Sequence, residues 1–151
     1  MDNFSNDFMN LAILEAQKAF ELDEVPVGAI ITKNGELVAV GHNSVINDKS
    51  ISSHAEIVAI NNASKILNNY RLVDCDLYVT LEPCHMCAKA IIDARINHLY
   101  FGCFEPKSGA IQSIDNFFNK KFLNHQTNFS GGIKEEECKL LLTSFFQRKR
   151  K

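Results

Sequence analysis

Apolar residues recur at mixed spacings of three and four between Asp7 and Leu22, at Phe8, Leu11, Ala12, Leu14, Ala16, Ala19 and Phe20, which predicts an amphipathic helix covering one sheet face. The period then changes. Val25 to Thr32 is a continuous apolar run rich in β-branched residues, Asn34-Gly35 is a strong hairpin signal, and Leu37 to Val40 returns antiparallel. Gly41-His42-Asn43 ends that strand. A loop from Ser44 to Ser53 leads into a helix from His54 to about Leu67, stopped by Asn68-Asn69. Leu77 to Leu81 predicts a third strand, Pro83 to about Arg95 a helix, and His98 to Phe101 a fourth strand. Strand, helix and strand in that order imply a right-handed crossover and parallel pairing. Cys103 to Asn119 reads as a loop with Pro106 and Gly109, followed by a short helix. Thr127 to Phe129 fits a fifth short strand before Gly131-Gly132, and Ile133 to Arg150, with Cys138, Leu140, Leu141, Leu142, Phe145 and Phe146, a terminal helix. The expected architecture is one α/β domain over residues 1–151, three layers α/β/α around a mixed five-stranded sheet, with no repeat or linker.

Composition narrows the setting. A chain of 151 residues that is 46% hydrophobic can bury a real core. No stretch approaches the ~18 apolar residues of a membrane span, and Met1-Asp2-Asn3-Phe4-Ser5-Asn6-Asp7 lacks the form of a signal peptide, so a cytoplasmic location is expected. Five cysteines, an odd number, suit a reducing compartment and no disulfide framework. The net charge of −2 gives the whole molecule no attraction for nucleic acid. Charge is uneven, however, with Arg148-Lys149-Arg150-Lys151 closing the chain, Lys120-Lys121 upstream and acids at Glu135-Glu136-Glu137. The terminal cations fit either phosphate contacts or a solvated helix end that complements its dipole.

Two short segments carry the chemistry: Ser53-His54-Ala55-Glu56 and Pro83-Cys84-His85-Met86-Cys87. His54, Cys84 and Cys87 are three zinc-type ligands, and a catalytic zinc takes three protein ligands and a water where a structural one takes four. His54 is expected in the first turn of a serine-capped helix. Two residues apart, His54 and Glu56 lie about 200° apart around a helix and cannot both face one metal from its side, but at the first turn they can flank one ion. Pro83 suits the first helical position, which sets Cys84 and Cys87 at i and i+3 on one face, with His85 turned about 100° away. Two helix N-termini then favour thiolates at the metal. Alone, the C-x-x-C fits a redox pair or half a structural zinc site as well. Fourth ligands for a structural site could come from His42, His85, His98, His125, Cys75, Cys103 or Cys138. With the fourth position open, Glu56 is placed to take a proton from a zinc-activated water and return it to a substrate nitrogen.

His54-Ala55-Glu56 with Pro83-Cys84-His85-Met86-Cys87 resembles the zinc nucleobase deaminase signature, and within that superfamily the chain is most similar to the bacterial tRNA-specific adenosine deaminases. The similarity extends through Glu24-Val25-Pro26-Val27-Gly28-Ala29, Asn43, Asn69-Tyr70-Arg71-Leu72, Leu77-Tyr78-Val79-Thr80-Leu81-Glu82-Pro83-Cys84, Phe101-Gly102, Lys107-Ser108-Gly109-Ala110, Asn124-His125 and Phe145-Phe146. The resemblance implies a cytidine-deaminase-like fold, one Zn2+ per subunit on His54, Cys84 and Cys87, and Glu56 as the proton carrier. It implies conversion of the wobble adenosine of a tRNA anticodon stem-loop to inosine, by a homodimer. Asn43 resembles the pocket asparagine that contacts the nucleoside, Val27 and Ala55 the apolar wall of the base pocket, and Glu82 and Pro83 the strand-to-helix turn at the metal. Lys107, Ser108, Asn124, His125 and the tail with Arg148 resemble the RNA-contacting parts. The chain departs from the usual pattern at Glu105, where aspartate is common, and at Gln147, where a basic residue commonly follows the two phenylalanines. Two rivals remain: a deaminase of free guanine, cytosine or cytidine, which needs no basic tail, and a binding module with a structural zinc.

Overall fold

The computed structural model describes residues 4–150. Met1, Asp2 and Asn3 of the leader reading and Lys151 of the basic run therefore lie outside the described residues. The elements are α1 (Asn6–Glu21), β1 (Gly28–Lys33), β2 (Glu36–His42), α2 (Val45–Asp48), α3 (Ala55–Leu67), β3 (Cys75–Leu81), α4 (His85–Asp93), β4 (His98–Cys103), β5 (Asn128–Ser130) and α5 (Glu135–Lys149), with a 3-10 turn at Phe117–Asn119. The strands form one mixed sheet in the order β2-β1-β3-β4-β5. β1 pairs antiparallel with β2 and β3, whereas β4 runs parallel to β3 and to β5.

Alternation along the strands builds the three layers. Ala29 and Ile31 of β1, Leu77 and Val79 of β3, and Leu99 and Phe101 of β4 face one core with Ala59 and Ala63 of α3 and Ile91 and Ile92 of α4. Ile30, Tyr78 and Tyr100, between them in sequence, face the other core with Met9, Ala12 and Ile13 of α1 and Cys138 of α5. Because successive side chains point to opposite faces, one strand serves both cores. Gly41 sits so close under α3 that a Cβ there would lie 2.6 Å from Ala59 N and 2.7 Å from Ala55 O. Backbone approach at that range requires glycine.

The expected elements are present, with shifted ends. β1 starts at Gly28 and not at Val25, since Pro26 has no N–H to contribute to a ladder. α4 starts at His85, with Cys84 as its N-cap and Pro83 outside the helix, and stops at Asp93. Arg95, beyond it, has a positive φ of 65°.

The segment read as loop, Ser44 to Ser53, contains the one-turn helix α2. Ser44 precedes α2 without a side-chain cap. Its exposed N–H groups are met from a distance by Glu24, which accepts from Ile46 N at 3.2 Å, Asn47 N at 2.7 Å and Asn47 Nδ2 at 2.6 Å. Burial alone raises the Glu24 carboxyl, but these donors outweigh it and hold it below the ordinary 4.5. Its stabilisation is therefore complete above the unfolded value and is lost as pH falls through the lower native one. Glu24→Gln should cost about 1–2 kcal/mol at pH 7. The gap between wild type and variant, read by urea unfolding, should close below about pH 4.

Among the described residues, no helix is long and apolar enough to cross a membrane.

Candidate metal centre

α3 and α4 begin beside one another, and each presents a ligand at its start. His54 is the N-cap of α3, with extended backbone (φ −73°, ψ 152°), and Cys84 is the N-cap of α4 (φ −78°, ψ 177°). That position resolves the 200° conflict between His54 and Glu56. The histidine leaves from extended backbone just outside the helix, so its direction is not set by the helical rotation, while Glu56, at the second helical position, is buried. Serine does not cap α3 as expected. The Oδ1 of Asn43, at the end of β2, accepts from Ala55 N at 2.9 Å instead.

The three ligand atoms lie within 4.8 Å of one another. His54 Nδ1 is 3.7 Å from Cys84 Sγ and 3.4 Å from Cys87 Sγ. Tetrahedral zinc with Zn–N of ~2.05 Å and Zn–S of ~2.3 Å separates such atoms by about 3.6 Å. The donor set thus fits zinc in both atom type and spacing.

Protein charges alone order the protons in this cluster. A hydrogen bond from the Cys87 thiol, outweighing burial and helped by His54, brings Cys84 down to about 3. That donation to Cys84, together with burial, drives Cys87 upward. The hydrogen bond to Cys84 also raises the His54 imidazole. Glu56 is 4% exposed, and burial pushes its carboxyl up to about 7. Its side chain hydrogen-bonds Cys87, so a buried carboxyl abuts the ligand triplet without belonging to it.

The other metal-ligand candidates are engaged elsewhere. His85 points outward to Asp115 Oδ2 at 2.9 Å, as its helical position predicts. His42 meets Glu15 at 3.3 Å, His98 meets Ser130 at 2.9 Å and His125 meets the Ile96 carbonyl at 2.9 Å. The thiols of Cys75 and Cys103 face the carbonyls of Val73 and Thr80, and burial pushes Cys138 up to about 12.

Comparison with known proteins agrees with this geometry. Residues 2–103 match the cytidine and deoxycytidylate deaminase zinc-binding region. The chain is 42% identical over 144 residues to the tRNA-specific adenosine deaminase of Bacillus subtilis (strain 168), covering 95% of this chain and 89% of that one. It is 43% identical over 143 residues to the enzyme of the same name from Agrobacterium fabrum, covering 95% and 94%. The chain belongs to this deaminase family. A solved structure from a study of A-to-I editing by tRNA:A34 deaminases at the wobble position of transfer RNA superposes with a TM-score of 0.89 at 42% identity, covering 91% of this chain and 100% of that one. The expected cytidine-deaminase-like α/β/α fold is thereby established.

Around the centre, hydrogen bonds of the deaminase link Val27, Asn43 and Ala55 to one another. Asn43 N donates to Val27 O at 3.0 Å while its Oδ1 accepts from Ala55 N, so Asn43 ties Val27 and Ala55 to the His54 cap. Val27 and Ala55 are buried in one core. Glu82 and Pro83 form the buried turn between β3 and Cys84. Lys107 and Ser108 are exposed on the loop after β4.

The remaining expected contacts lie apart from this cluster. His125, pinned to Ile96, sits beside the start of β4, whereas Cys84 and Cys87 follow the end of β3, at the opposite end of the parallel pair. Asn124 beside it is exposed. Arg148 stacks 4.4 Å over the Phe20 ring and pairs with Asp23 at 3.2 Å, and Lys149 pairs with the same carboxylate at 2.5 Å. Half of the terminal basic run is thus met within the chain by Asp23, a partner with no pattern in the sequence to announce it.

Proposed function

We propose that this chain hydrolyses adenosine to inosine at the wobble position of a tRNA anticodon. The observation that carries the reaction is Glu56, a buried carboxyl set against a three-ligand zinc triplet and outside it. When bound, zinc supplies the Lewis acidity that brings a water toward a pKa near 7. Glu56 would take a proton from the attacking water as its oxygen adds to C6 of the purine, and would return that proton to the amino nitrogen, which leaves as ammonia when the C6–N bond breaks. Adenosine and water become inosine and ammonia. Ala55, with only a methyl group beside the centre, leaves room for the ring. Asn43, whose Oδ1 is committed to Ala55 N, keeps Nδ2 to donate to an acceptor on the base.

The RNA substrate rests on similarity over 95% of the chain to relatives named for it. A wobble base lies in a single-stranded loop and can enter the pocket splayed out, without melting a duplex. Lys107, Ser108, Asn124, His125 and Arg148 are the candidate RNA contacts. One deaminase domain over residues 1–151, binding one Zn2+ per subunit, working as a homodimer in the cytoplasm, completes the reading. A monomeric mass in solution would count against the dimer.

The experiment is inosine formation in an anticodon stem-loop with a wobble adenosine, run beside free adenosine, cytidine and guanine. Inosine at the wobble position alone is expected. Ammonia from a free base or nucleoside, with the RNA untouched, would keep the zinc chemistry and replace the substrate.

A further inference from the structure

The loop over residues 104–113 leaves β4 and returns beside the turn that carries Cys84, with no helix or strand of its own. A loop of ten residues holds one shape only if its backbone polar groups find fixed partners. Here four of its amides converge on one side chain. Glu82, 2% exposed, accepts through Oε1 from Glu105 N at 3.1 Å and from the Ser113 hydroxyl. Its Oε2 accepts from Ile111 N at 3.1 Å, Gln112 N at 2.7 Å and Ser113 N at 2.9 Å. Gly109 passes so near that a Cβ would fall 2.3 Å from Oε1. The backbone adds a second fastening, Ala110 N to Pro83 O at 2.9 Å, one residue before a metal ligand.

Five donors exhaust a carboxylate, which offers about four lone-pair sites. Glu82 has no acceptor left for a substrate and can act only through the loop it holds. We propose that Glu82 is a positioning residue: by fixing the start and the far limb of loop 104–113 to the second residue before Cys84, it sets Lys107 and Ser108 at a constant place relative to the metal centre. This rests on the reading of the chain as an RNA deaminase. A flexible single strand loses conformational freedom when it binds, and a loop already ordered adds no ordering cost of its own. Freeing the loop therefore weakens substrate binding, with the reacting groups left in place.

Glu82→Gln tests this, since it keeps the volume and turns one acceptor oxygen into an NH2 that faces a backbone N–H in either orientation. Zinc should remain at one per chain. The amides of Ile111, Gln112 and Ser113 should lose hydrogen-exchange protection while those of β1 and β3 keep theirs. KM for the stem-loop should rise by at least about tenfold with kcat within about threefold. A wild-type KM, or protection lost throughout the sheet, overturns the proposal. If that variant does not fold, Ser113→Ala removes only the hydroxyl donor and should raise KM by a smaller factor with faster exchange at Gln112 and Ser113; an unchanged KM overturns the proposal there too. A wild-type protein that leaves the stem-loop unaltered refutes the functional reading itself, and is told apart because it needs no variant.

Discussion

Glu56→Ala should retain one zinc per chain and lose turnover by about 10³-fold or more. One well-placed proton carrier is worth roughly 10²–10⁴ in rate, and Glu56 is asked to act twice, on the attacking water and on the leaving nitrogen. Metal retention follows from the geometry. His54, Cys84 and Cys87 form the triplet without Glu56, and the caps that hold them, Asn43 on Ala55 N and the backbone bonds Val58 N to His54 O at 3.0 Å and Ala88 N to Cys84 O at 2.8 Å, do not involve its side chain. Glu56→Gln separates charge from volume. It fills the same buried space, so it should match the alanine variant in rate while unfolding at a temperature closer to wild type. Metal analysis beside single-turnover inosine formation makes the measurement. Zinc lost in both variants, or activity within tenfold of wild type, would assign Glu56 a different role.

Those residues were legible in the sequence because each belongs to a short-range pattern. The ligands and Glu56 sit at helix starts, where the short spacings within His54-Ala55-Glu56 and Cys84-His85-Met86-Cys87 set each group near one point, and the continuous apolar run ahead of Asn34-Gly35 marked β1. What escaped the sequence is long-range pairing of polar groups. Ser53 has the right chemistry to cap α3, yet Asn43 wins, because β2 ends where its amide reaches Ala55 N. Glu24 caps α2 from 22 residues away and Glu82 gathers donors up to 31 residues on, neither at a spacing any local rule covers. The signal that was available is a carboxylate inside an apolar run: Glu24 precedes Val25-Pro26-Val27, and Glu82 closes Leu77 to Leu81. A buried acid in such a place must collect donors, so its position predicts an anchor even where its partners cannot be named.

Removal of zinc should abolish turnover reversibly and leave the domain folded. The metal joins three points at the starts of α3 and α4, but the bodies of both helices are held independently. Ala59, Ala63, Ile91 and Ile92 are buried against Ala29, Leu77 and Val79 in a core that contains Cys75 but neither metal-binding cysteine. The protein chelated at pH 7 should therefore keep its far-ultraviolet spectrum and a cooperative transition. Its midpoint should fall by roughly 5–11 °C, the equivalent of about 2.7 kcal/mol for a ligand present at 100 times its dissociation constant in a chain of this size. Zinc added back should restore inosine formation to the original rate. A structural site behaves otherwise: its binding energy is folding energy, and the chelated domain unfolds outright. The three-ligand set and the folded chelated state belong together, since a metal that leaves one position for water is held by fewer protein groups than a scaffold would need.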